Sequence, residues 1–300
     1  MNSRLLVALY AALPITVMTV GAQYATAEEV TKTAPADARG EVEIVNVAGA
    51  VQVNGWDRAE VQVDADLGAS VERLEFRRDG QRTYIKVILP KGRGSSGSSD
   101  LIVKIPRDSS LTVNTVSAEQ RVKGVHGAQR LQAVSGDIET EFGPGELEVK
   151  TVSGNILARG RKDKGSVRAT TVSGDFQLDE GGPELDLNTV TGDMNVRLDR
   201  IDRGRIKTTN GDLNLTTQLG DEARLDVEAI NGDLTFDLRG KVNAEFDIET
   251  FNGDIDNCFG PKPNRSRQHG PGNELHFAEG KGDSQVRIKT LNGGVNLCKR

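Results

Sequence analysis

The sequence is poor in most of what marks the common function classes. Its 300 residues hold two cysteines, Cys258 and Cys298, too few for a disulfide-dense miniprotein. Aromatic residues make up 4%, so platforms for stacking sugars or bases are scarce: beyond residue 27 only Trp56 and Tyr84 represent Trp and Tyr. The three histidines, His126, His269 and His276, have no paired metal-ligand spacing, and no nucleophile elbow, phosphate loop or zinc motif occurs. Basic charge is not in surplus either. With 38 Lys and Arg against 44 Asp and Glu and no segregated basic face, nucleic acid is excluded as a partner.

Long apolar runs are missing after the first 27 residues. There, Arg4 precedes an uncharged stretch from Leu5 to Ala27 that opens Leu5-Leu6-Val7-Ala8-Leu9 and closes Ala25-Thr26-Ala27. This pattern predicts a secretory signal peptide over 1–27, cut after Ala27, with a retained anchor as the competing reading. The remainder carries 37 − 44 = −7. No cysteine near the cut offers a lipid attachment point, and after cleavage no transmembrane segment is expected, which places the protein in the periplasm or outside the cell. Residues 28–39 (EEVTKTAPADAR) read as a disordered lead.

What is present in abundance is glycine, 34 residues, much of it periodic. Gly136, Gly154, Gly174, Gly192, Gly211, Gly232, Gly253 and Gly293 stand in Ser/Thr/Asn-Gly-Asp-like tripeptides at spacings of 18, 20, 18, 19, 21, 21 and 40. The last step contains a polar, proline-rich insertion, 260–273, and counts as one repeat with a long loop. Five residues before each glycine stand Leu131, Val149, Ala169, Leu187, Ile206, Val227, Ile248 and Ile288, all apolar. Two after it stand Ile138, Ile156, Phe176, Met194, Leu213, Leu234, Ile255 and Val295, also all apolar, and seven of the eight residues two before it are apolar. Position −3 is always Thr or Ala.

Strand side chains alternate with period two, so positions −5 and −2 lie on opposite parities. If both face inward, the chain turns a corner at the dipeptide −3/−2. The glycine then also points inward, where a side chain would meet the opposite wall. Such a unit buries its apolar face only by stacking on copies of itself. The expected fold is all-β, a single-stack parallel β-solenoid of 18–21-residue coils over 117–300, with an N-terminal β cap and first coil over 40–116. An antiparallel meander is the alternative, because Asn-Gly is also a hairpin signal. In the cap, Val61–Val63, Tyr84–Leu89 and Leu101–Ile105 read as strands and Lys91 to Asp100 as a flexible loop. Phe176, Phe236, Phe246 and Phe251 read as core.

Two further features follow from stacking. Asp175, Asp193, Asp212, Asp233 and Asp254 would form a column, readable as a calcium ladder or as side chains satisfying turn backbone donors. The second reading is preferred, since the glycine-rich nonapeptide period of calcium-binding rolls is absent and Asn155 and Gly294 interrupt the column. Cys258 and Cys298 each lie five residues after their repeat glycine, so neighbouring coils bring them within disulfide range. No cofactor, metal or catalytic residue is expected.

The serial Thr-Val-Ser-Gly-Asp-Ile-like units, with Leu101-Ile102-Val103-Lys104-Ile105-Pro106 followed by Leu111-Thr112-Val113, resemble the putative-adhesin β-strand-repeat family of bacterial envelope proteins, a domain of unknown function. The resemblance covers about residues 40 to 298 and implies an exported, non-catalytic β-solenoid. The expected role is an adhesin or structural interaction scaffold. Its partners would be an envelope protein, a wall polymer or another copy, met through the solenoid face or the end coil. A periplasmic accessory protein of an envelope-stress signalling system is the alternative, and a glycan-active β-helix enzyme ranks third.

Overall fold

The computed structural model describes residues 28–90, 97–160, 165–265 and 272–299. The expected signal peptide, His269 and part of the insertion 260–273 lie outside them. The described residues are all-β, with no helix, and their strands form one mixed sheet around one apolar core.

Each glycine repeat is a rung of two strands. In the Gly154 rung, Leu147–Ser153 buries Leu147, Val149 and Thr151, and Ile156–Arg159 buries Ile156 and Ala158. Alternation along each strand puts one side-chain set in the core and the other in solvent. Val149 pairs in parallel with Leu131 on one side and Ala169 on the other, and Ile156 likewise with Ile138 and Phe176. Register therefore runs glycine to glycine, and the second turn of each rung absorbs the variation in repeat length. All eight residues at position −5 and all eight at +2 are buried. We call the side formed by the first strands face A and that formed by the second strands face B.

The corner differs from the expected one. Residues at −2 point outward: Val116, Val134, Val152, Val172, Val190, Ile230, Phe251 and Leu291 are 42–51% exposed. Phe251 is thus no core residue, whereas Phe176, Phe236 and Phe246 are. The buried set runs through the Thr or Ala at −3, and −2 and −1 then both face outward, so the corner spans −2 to +1 around the glycine. Gly136, Gly154, Gly174, Gly192, Gly211, Gly232 and Gly293 have φ between +132° and +148°, a region costly for residues with a side chain. A Cβ at Gly174 would overlap the carbonyl oxygen of Gly154 on the neighbouring rung, so the constraint comes from the next layer and not from the opposite wall.

Both ends carry antiparallel strands, so the sheet is not parallel throughout. At the N-terminal end, Arg82–Ile88 and Ser98–Pro106 lie parallel on the two halves of Glu41–Trp56. Outside them, Arg73–Asp79 and Glu60–Leu67 pair antiparallel. Residues 28–39 are not disordered: Glu28–Pro35 forms the outermost strand, antiparallel to Glu60–Leu67. Its weak apolar pattern hid it, because it is held by a distant partner's edge. Lys32 Nζ donates to Leu74 O at 2.8 Å and Arg78 Nη1 to Pro35 O at 2.9 Å, tying the two outer strands across the end. The run expected as a flexible loop is already strand by Ser98, and Ser110–Val125 continues unbroken past position 116 into the repeats.

At the C-terminal end the layers do not follow chain order. Ser284–Asn292 lies between 224–231 and Ala244–Asn252, parallel to both, and Val295–Lys299 lies likewise between Leu234–Leu238 and Ile255–Asn257. The last rung in sequence is therefore the penultimate in space. Asn273–Glu279 pairs antiparallel on the outer edge of Ala244–Asn252, and Phe277 stacks on Phe246 at 4.7 Å. The crossing turn is stapled by Asn243, whose Oδ1 accepts from the N–H of Lys281 and Gly282 at 2.6 and 2.9 Å.

Charge explains the order. On face A the outward column at −6 reads Arg130, Glu148, Arg168, Asp186, Arg205, Asp226, Arg287, Asp247 in spatial sequence, alternating in sign throughout. The column at −4 ends Lys207, Glu228, Lys289, Glu249. Chain-order stacking would set Asp226 against Asp247 and Glu228 against Glu249, and like charges directly opposite are destabilising. Insertion replaces those contacts with the pairs Arg287–Asp247 at 3.5 Å and Lys289–Glu249 at 2.9 Å. Each exposed pair is worth roughly 0.2–1 kcal/mol, and the avoided repulsions add to that. The Cys258–Cys298 disulfide, Cα–Cα 4.9 Å, joins these two rungs across 40 residues of sequence.

Gly174→Ala should destabilise the fold by about 2 kcal/mol or more, combining a disfavoured φ with an interlayer clash, as urea unfolding would measure. Arg287→Glu with Lys289→Glu should lower the melting temperature markedly, and adding Asp247→Lys with Glu249→Lys should recover most of the loss; equal stability of all three proteins would reject the charge-order account.

Candidate interaction surfaces

Three outward features run the length of the stack: the corner, face A and face B. At the corner, each rung is bonded to the next by backbone and by side chain. Gly154 N–H donates to Ser173 O at 3.0 Å and Ile156 N–H to Asp175 O at 2.9 Å, and the same two bonds recur at the following rungs. The residue after each glycine adds a third. Asp137 Oδ1 accepts from Asn155 N–H, Asn155 Oδ1 from Asp175 N–H, Asp175 from Asp193, Asp193 from Asp212, Asp212 from Asp233 and Asp233 from Gly294, all at 2.8–3.0 Å.

This ladder bears on the calcium candidates. Asp175, Asp193, Asp212 and Asp233 are brought into one column and each carboxylate is engaged with the next layer's backbone; Asp254 lies on the terminal rung. Among the described residues no group of three or more His, Cys, Asp or Glu is arranged to hold a metal ion. Asn155 does not interrupt the ladder, since its amide oxygen accepts as a carboxylate does, and Gly294 needs only its N–H to receive the bond.

Face A is a lattice of compensated charge. Glu148, nearly buried, receives Lys150 Nζ at 2.5 Å and Arg130 Nε at 2.7 Å. The Lys150 hydrogen bond, supported by Arg130, holds its carboxyl below the ordinary value of 4.5 against the upward push of burial. The concavities on this side are open grooves. One, about 900 Å³, lies where the second turns meet face A and is lined by Arg200, Asp202, Arg203, Asp221, Glu222 and Arg224 among others, with Arg200 held by Asp202 at 2.6 Å and Arg203 by Glu184 at 2.5 Å. His126 faces Asp108 at 3.5 Å and His276 faces Glu245 at 3.3 Å, at opposite ends of the chain's described strands and in no common cleft. Face B carries an uncharged column at +3 through its middle rungs, Gln177, Asn195, Asn214, Thr235 and Asn296, beside a column at +5 in which Arg197 pairs with Asp179 at 3.3 Å.

The sequence reading assembled the glycine and aspartate columns and the cysteine pair, but missed two signals. Sign alternation at −6 was readable once residues were aligned on their glycines. The exposed apolar column at −2 was visible as a pattern but assigned to the interior, because hydrophobicity alone does not report direction.

The chain belongs to the family described as Toastrack DUF4097, whose model matches residues 18–182 and 182–298. It is a domain of unknown function, as the resemblance of the Ser-Gly-Asp units implies. No curated protein matches the chain. It is similar to a solved structure described as a "putative adhesin" from Parabacteroides distasonis, at 10% identity and TM-score 0.37 over 91% of this chain and 98% of that one. A second, also described as a "putative adhesin", comes from Bacteroides fragilis, at 10% identity and TM-score 0.36 over 90% and 97%. A third, described as a "putative cell adhesion protein", comes from Clostridium sporogenes, at 8% identity and TM-score 0.22 over 92% and 100%. Among the described residues no helix is long and apolar enough to cross a membrane.

Since the folded value for Glu148 lies below the unfolded one, its contribution to stability is present above about pH 4.5 and drains away as pH falls through the folded value. Glu148→Gln should lower the melting temperature at neutral pH and flatten its decline between about pH 5 and pH 3. An unchanged acid limb in the variant would reject this.

Proposed function

We propose that this protein is an exported, non-catalytic scaffold of the bacterial cell envelope, an adhesin-type β-solenoid that meets its partner through its long flat faces. The observation that carries the reading is the outward surface itself. Its charges neutralise one another rung by rung, its turn carboxylates are committed to backbone, and what remains is a rigid lattice of amides, hydroxyls and paired ions. Such a surface suits broad, shallow contact with another envelope protein or a wall polymer better than chemistry on a small enclosed substrate. The parallel rungs are read as one solenoid stack, with the antiparallel strands at both ends as caps that cover its edges.

Export is supported by two features. The uncharged leader from Leu5 to Ala27 has signal-peptide character, and the Cys258–Cys298 disulfide belongs to an oxidising compartment. In-cell crosslinking with mass spectrometry tests location and partner together. The expected result is links from face A lysines such as Lys207 and Lys289 to envelope proteins or wall material, on peptides beginning after Ala27. Links only to cytoplasmic proteins would overturn the reading, and links confined to an inner-membrane regulator would replace it with the envelope-stress role.

A further inference from the structure

The corner column at −2 is left unexplained by a polar scaffold. In spatial order it reads Val116, Val134, Val152, Val172, Val190, Thr209, Ile230, Leu291 and Phe251, one side chain per rung. All but the partly buried Thr209 are 42–51% exposed. A soluble fold gains nothing from this pattern: polar β-branched threonine occupies the same position at 209 without disturbing the pairing of Thr208 with Ala229 or Asn210 with Asn231. Apolar character at eight of nine layers is therefore not dictated by the corner.

We infer that this ridge is a self-association surface, on which a second copy of the same chain docks ridge to ridge. Three arguments lead to that occupant. The first is period. The side chains recur at the strand spacing of about 4.8 Å over roughly 38 Å. A helix laid along the ridge repeats every ~5.4 Å and would drift by about 5 Å, a whole row, over that length. Another stack of rungs has the identical spacing and stays in phase, the matching that lets paired sheets interdigitate.

The second argument is charge. The column beside the ridge, at −1, is Ser135, Ser153, Ser173, Thr191, Asn210, Asn231, Asn292 and Asn252, small and uncharged. Beyond the glycine, the carboxylates of Asp137, Asp175, Asp193, Asp212 and Asp233 are held to neighbouring backbone. The ridge and the column at −1 carry no charge of their own, the carboxylates standing beyond the glycine, whereas the absence of a basic flank gives an anionic membrane surface no hold. The third is area. Eight half-exposed apolar side chains present on the order of 500 Å² in one strip interrupted only by Thr209, at the upper end of what a monomer leaves open. With the −1 column, two copies would bury on the order of 1,200 Å², the lower bound of a specific interface.

This inference goes beyond the scaffold reading and does not depend on it, since the contact forms between purified copies whatever the envelope partner is. Sedimentation velocity of the full chain across about 1–100 µM tests it, using the native occupant of position 209 as guide. The wild type should show a reversible monomer–dimer equilibrium in this range. Val152→Thr, Val172→Thr and Val190→Thr combined should weaken it roughly tenfold or more with circular dichroism and melting temperature unchanged, and Thr209→Val should tighten it. A wild type that stays monomeric at every concentration overturns the inference. So does a dimer equally strong in the triple threonine variant, or wild-type binding to phosphatidylcholine vesicles in place of dimerisation.

Discussion

The whole architecture depends on how closely one layer's backbone lies against the next at the glycine corner. A left-handed φ and a carbonyl oxygen where a Cβ would stand leave only glycine at these positions. In exchange for that restriction, the corner closes three hydrogen bonds per layer, two from backbone and one from the Asp or Asn side chain that follows. Such a corner has no tolerance for slippage. A one-residue shift would place a side chain on the carbonyl and move every buried residue to the outside. The chain's other regularities, including variable second turns and outward columns, are possible because register is already settled there.

Much of this was legible from residue spacing alone. The eight glycines, the apolar positions at −5 and +2 and the cysteines at +5 identify the layers, because a repeat in sequence becomes a stack in space. Direction was the weak point. Val152 and Phe251 are as apolar as Val149 and Ile248, yet two face water; only the exact residue at which parity flips separates them, and that depends on the neighbouring layer's carbonyl. The strand Glu28–Pro35 was hidden for a different reason. With Val30 and Ala34 as its aliphatic side chains, it has no amphipathic pattern of its own and exists through pairing with Glu60–Leu67, a contact that is not local. The spatial exchange of the last two layers was also invisible to spacing, but not to charge: Asp226, Glu228, Asp247 and Glu249 ask for a cationic layer between them, and Arg287 and Lys289 supply it.

The surfaces divide the labour along the stack. Face A carries alternating ions, with Glu148 gripped by Lys150 and Arg130 as its most deeply seated member. Face B presents a column of amides beside ion pairs such as Arg197–Asp179, and the corner presents an aliphatic ridge bordered by small polar residues. Paired ions and stacked amides make a surface that is polar yet weakly attractive to any single charge. That combination favours shape and extended contact over point recognition.

The exchanged layers also govern when the structure can be finished. While 224–238 and 244–257 are present but residues beyond 283 are not, the site between them is either empty or closed without its cationic layer. The final segment must then slide in beside both, bringing Cys298 to Cys258. A chain cut before Ser284 therefore lacks the wedge, its ion pairs and its covalent tie at once, and leaves the edges of 224–231 and Ala244–Asn252 without their partner strand. Closure of this end of the stack therefore waits on the segment 284–299, in whatever order the other rungs form.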